Sequence, residues 1–100
     1  MRAEYDSKAN AISIGIADSV HAEHGDEVHE RAIVALADGE PVEVQILYPD
    51  LGITEPLAAV AERYGLDLEA LQAATQSALA APDRVVVLEV AARAPAGDTG

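Results

Sequence analysis

His21, His24 and His29 fall within HAEHGDEVHE, interleaved with Glu23, Asp26, Glu27 and Glu30. Imidazole nitrogen and carboxylate oxygen together make a usable ligand set for a first-row divalent cation. These three histidines are therefore the candidate metal ligands. Their spacing matches no established zinc motif such as H-E-x-x-H, in which one helix face presents both histidines. Residues 18–26 around Gly25 read as loop, so a solvated polar loop explains the same residues without chemistry.

Other chemistries find less support. Nucleophilic catalysis needs Ser7, Ser13, Ser19, Ser77 or a threonine beside an activating base, and none stands in a nucleophile-elbow context. No glycine-rich phosphate loop is present, and carboxylates are too numerous for one acid–base pair to be singled out. We therefore assign no catalytic residue and expect no organic cofactor. In LAAVAERYGLDLEALQAA, Ala61, Gly65, Leu66 and Leu71 have the small–glycine–apolar spacing of a helix-turn-helix. The would-be recognition helix opens with Asp67 and Glu69 and has no Lys or Arg through Pro82, which leaves nothing to contact phosphate or read guanine.

Charge points the same way. Eighteen acidic against six basic side chains give a formal net charge of −12, spread along the chain. Nucleic acid and anionic membrane are repelled, whereas a basic protein or a cation is attracted. The chain has no cysteine, which suits a reducing cytoplasm. Its first apolar stretch, Ala11 to Ala17, is too short and too closely flanked by charge for a signal peptide or membrane span, so the expected location is cytoplasmic. The 100 residues suit one domain. Twenty-one are alanine and none is Phe or Trp, so the core is thin in area per residue and self-association as a homodimer is an expected remedy.

The elements that must position these residues follow from periodicity. Arg2 to Tyr5 is a short strand candidate, and Ile12, Ile14 and Ile16 place one apolar face on a second. The alternating run from Val28 to Leu36 reads as one strand. It joins Val42, Val44, Ile46 and Tyr48 through Asp38-Gly39 in a hairpin. Parity favours a three-residue loop, which sets Val34 opposite Val44 and Leu36 opposite Val42. Pro41 then belongs at the first position of its strand. Thr54 is the expected N-cap of a helix carrying Leu57, Val60, Ala61 and Tyr64 and stopped by Gly65. Asp67 caps a second helix that ends before Pro82. Arg84 to Val90 (RVVVLEV) reads as a strand covered on both faces.

The opening Tyr5-Asp6-Ser7-Lys8-Ala9-Asn10-Ala11-Ile12-Ser13-Ile14 resembles the start of DUF-2283, a bacterial family of small domains of unknown function, whose pattern runs roughly Y-D-x-x-A-[DN]-[AS]-[LI]-x-I. Asp38-Gly39 followed by Val42, Val44, Gln45, Ile46 and Leu47 is similar to the family's second motif. Glu43 stands where that motif has glycine, and Gln45 where it has glutamate. The resemblance covers about residues 2–48 and brings no activity with it. It implies at most an association with bacterial regulatory or toxin–antitoxin loci. Within it, Tyr5 reads as core, and Asp6 and Asn10 as turn formers.

The expected architecture is α+β: an antiparallel sheet of four to five strands with a two-helix hairpin on one face, spanning residues 1–93, and a disordered tail at 94–100. The expected role is a non-catalytic protein-interaction or regulatory module, with antitoxin-like neutralisation of a basic toxin as one form. A metal-binding protein or metal-dependent enzyme using the three histidines is the alternative. A helix-turn-helix regulator ranks below it.

Overall fold

The computed structural model describes residues 1–17 and 21–92. The fold is α+β. Six strands, β1 (Arg2–Asp6), β2 (Ala11–Gly15), β3 (His24–His29), β4 (Ala32–Ala37), β5 (Glu40–Leu47) and β6 (Val85–Val87), form one antiparallel sheet in the order β3-β4-β5-β2-β1-β6. Helices α1 (Thr54–Tyr64) and α2 (Leu68–Ala80) cover one face. The count exceeds the four to five strands expected from sequence.

The extra strand comes from the run between residues 28 and 36. It is broken at Glu30-Arg31, where a two-residue turn sets His29 opposite Ala32 after a bulge at Val28. Neither turn residue has a left-handed backbone, so no glycine or asparagine marks the turn in the sequence. Side chains hold it instead. The Arg31 N–H donates to His29 Nδ1 at 3.0 Å, and the Arg31 guanidinium donates to the carbonyls of Tyr48 (3.1 Å) and Gly52 (2.8 Å). Part of the expected loop, His24 to Asp26, is accordingly strand.

The β4–β5 hairpin satisfies the parity argument by another route. Asp38 and Gly39, both left-handed, make a two-residue turn with Ala37 opposite Glu40. A bulge then sets Leu36 opposite Pro41 and Ala35 opposite Glu43, which leaves Val42 as the extra residue and restores Val34 to Val44. The expected Leu36–Val42 pair and the three-residue loop are replaced by this shorter turn plus bulge, and Pro41 is the second residue of β5.

Strand register gathers Ala3, Ile12, Ile14, Ala32, Val34, Val44 and Ile46 on the helix side, all buried. Leu57 and Val60 of α1 and Leu71, Ala74 and Ala78 of α2 close over them without solvent exposure. Each fully buried Ile, Leu or Val contributes about 1.5–3 kcal/mol. Thr75, also buried, donates its hydroxyl to the Leu71 carbonyl at 2.8 Å. The N-cap of α1 is Ile53, without a side-chain bond, and Thr54 is already helical, so the helix begins one residue earlier than expected. Gly65 ends α1 at φ 66°, and Asp67 caps α2 by accepting from the N–H groups of Glu69 and Ala70.

The segment from Arg84 differs most from expectation. Within it the strand is limited to Val85–Val87, which pairs with β1 and forms an edge strand on which Val85 is 55 % and Val87 65 % exposed. The helices cover one face only, and the run is not covered on both. Residues 94–100 lie outside the described residues. No helix among the described residues is long and apolar enough to cross a membrane.

Candidate interaction surface

The three histidines do not converge. His21 and His24 are exposed, and among the described residues no group of three His, Cys, Asp or Glu side chains is placed to hold a metal ion. His29 is committed elsewhere. Its Nδ1 accepts from the Arg31 N–H, which assigns the ring proton to Nε2, and Nε2 lies 3.2 Å from Glu55 Oε1 on α1.

Asp26, the neighbour of this cluster, points to the helix side of β3. It accepts from the Tyr64 hydroxyl, and Arg63 Nε lies 2.9 Å from the same carboxylate oxygen. Burial, reinforced by the Asp26 bond, raises the Tyr64 hydroxyl above its usual range. The middle of β3 and its C-terminal end are thus latched to α1 by polar contacts. This edge of the sheet carries Asp26 and Glu27 together with the bulge, the features that prevent further strand pairing.

A second polar cluster sits at one end of the sheet. Asn10 (φ 52°), Tyr48 (φ 50°) and Asp83 (φ 64°) hold left-handed backbones there without being glycine. Tyr5 donates its hydroxyl to Asn10 Oδ1 at 2.9 Å, and Asn10 Nδ2 donates to Asp50 Oδ1 at 2.8 Å. Asp6 Oδ1 accepts from the N–H groups of Lys8 and Ala9. The Ser7 N–H and hydroxyl both donate to Asp83, at 2.9 and 2.7 Å, and hold its carboxyl below the usual range. Asp6 is a local turn former as expected, whereas Asn10 bonds side chains across the turn. Sequence spacing gave no sign that Ser7 and Asp83 meet.

Among the described residues, no helix or strand covers the face of the sheet opposite α1 and α2. Ser13, Gly15, Ile33, Ala35 and Gln45 are half-buried along it, and Glu4, Glu27 and Glu43 are exposed. A shallow depression of about 200 Å³ lies over Ser13 and Gly15, bordered by Arg2, Glu4, Glu43 and Val85. It contains no buried nucleophile or base.

Charge is distributed unevenly over this frame. Residues 70–88, which make most of α2 and all of β6, contain only one acidic and one basic side chain, Asp83 and Arg84, so the whole net charge of −12 resides elsewhere. The molecule therefore has a neutral side, formed by α2 and an exposed apolar strand edge, and an acidic remainder. The alternation that reveals half-buried strands is absent from RVVVLEV, which is why the sequence did not mark this edge as exposed. No protein-family model matches the chain, and comparisons with curated proteins and with solved structures return no significant match.

Proposed function

We propose that this protein is a non-catalytic interaction module that self-associates and engages a basic protein partner. The observation that carries the reading is the segregation of charge: a neutral α2–β6 side, while all twelve net negative charges belong to the rest of the sequence. Like-charged copies approach each other with least repulsion at the neutral side, and a basic partner is steered to the acidic remainder. Carboxylates with fixed geometry, such as Asp6 and Asp50, offer such a partner acceptors that are already oriented. The resemblance to DUF-2283 is compatible with this role and supplies no competing activity.

A pull-down from lysate of the source organism, repeated at low and moderate salt, tests the reading. One stoichiometric basic protein, retained at low salt and lost at moderate salt, is the expected result. Capture that is insensitive to salt, or an eluate without protein at low salt, would sink it.

A further inference from the structure

We propose that two copies of this chain join through β6, antiparallel about a two-fold axis, so that the two six-stranded sheets become continuous. This rests on the self-association half of the function proposed above and names its surface and register. The first support is the direction of the backbone groups. The Leu88 N–H donates to the Met1 carbonyl at 2.8 Å and the Met1 nitrogen donates to the Leu88 carbonyl at 2.9 Å, so these two residues are a hydrogen-bonded pair. In antiparallel strands such pairs alternate with non-bonded ones. Val86 and Ala3 therefore bond each other, and Val85 and Val87 aim their N–H and C=O groups away from the sheet.

The second support is self-complementarity. In an antiparallel pair, residues that aim outward must oppose residues that aim outward. Setting Val85 against Val87 of the second copy, with Val86 on the axis, meets that condition on both strands at once. Exposed valines then flank each other across the join on the open face of the sheet, where Val85 and Val87 are now left to water.

The third support is electrostatic, and it selects the occupant. Nothing between Val85 and Leu88 is charged, and α2, packed beside β6, carries no charge after Glu69, so no carboxylate lies within the paired strands themselves, and the nearest acidic side chains, Asp83 and Glu89, fall beyond their ends. A basic peptide gains little from this edge and more from the acidic surface elsewhere. The opposite edge, β3, carries charge and a bulge and is latched to α1, which bars it from the same role. The strand is short, so the association is of the weak, reversible class and rises with concentration.

Sedimentation velocity across a concentration series tests this, using the full chain and its V85K/V87K variant. Both sites are exposed, and the new lysines lower the net negative charge, which by itself would favour association. The expected result is dimer in the native chain at high concentration and monomer in the variant at every concentration, with unchanged circular dichroism. As a measure that does not depend on the variant folding, amide exchange in the native chain should show protection of Val85 and Val87 rising with concentration, while Val86 is protected throughout. A native chain that stays monomeric, a variant that still dimerises, or Val85 and Val87 exchange independent of concentration would each overturn the proposal. Retention of the basic partner by the monomeric variant would show that the two halves of the functional reading stand or fall separately.

Discussion

The Tyr64 hydroxyl, at the end of α1, donates to the Asp26 carboxylate in the middle of the edge strand β3, and so ties the most acidic edge of the sheet to the helix layer. Replacing Tyr64 by Phe removes that bond and should cost about 0.5–1.5 kcal/mol at neutral pH, read from urea denaturation. The raised Tyr64 ionisation adds a pH signature. A group whose folded value is raised stabilises the fold below its ordinary value of 10.0 and loses that contribution as pH rises through the raised one. Stability of the native chain should therefore fall with Tyr64 ionisation above that range, and this part of the fall should vanish in Tyr64→Phe.

Asp83 should behave in the opposite sense. Its carboxyl is lowered by the two bonds from Ser7, so its contribution is present above the ordinary carboxylate range and is lost as pH falls through the lowered value. Asp83→Asn keeps a side chain tolerated at φ 64°. The stability gap between native chain and variant should close in acid, and a gap independent of pH would refute the Ser7 assignment.

Helix α2 depends on its cap. Asp67→Ala leaves the N–H groups of Glu69 and Ala70 without their acceptor and should destabilise by about 1 kcal/mol. Thr54→Ala should change the unfolding midpoint far less, because Thr54 lies inside α1 and makes no cap bond.

The core is thin enough for one deletion to matter. Leu71 is fully buried between α2 and the sheet, and Leu71→Ala should cost about 2–5 kcal/mol. Thermal unfolding would report this as a large drop in midpoint or as loss of a cooperative transition.

Chelation provides a further test. Since His29 is already bonded on both ring nitrogens and, among the described residues, His21 and His24 belong to no metal-holding group, adding a strong chelator should leave the unfolding midpoint unchanged. A midpoint lowered by the chelator would restore the histidines as ligands.

The parts of the fold that the sequence made legible are those written in local chemistry. Ile12 and Ile14 declared their face by period two, Gly65 and Asp67 punctuated the helices, and the Val34–Val44 pair followed from parity. The Glu30-Arg31 turn stayed hidden because its geometry is held by Arg31 reaching the Tyr48 and Gly52 carbonyls, contacts that no local pattern encodes. The β6 edge was hidden for a related reason: three valines look alike whether covered or open, and only the position of β6 beyond β1 decides. The neutrality of residues 70–88 could be read from the sequence, yet it gains meaning only once α2 and β6 lie side by side.

Because β1 sits between β2 and β6, the first of the described strands is finished by the last. While the chain is being synthesised, β1 can pair with β2 early, but its other side must wait for Val85–Val87 to emerge. Until then the exposed edge belongs to β1, which carries Arg2 and Glu4, and charge guards it against premature pairing. The uncharged edge comes into existence only once Val85–Val87 has been made, so the pairing between copies proposed above would follow the folding of β1 through α2.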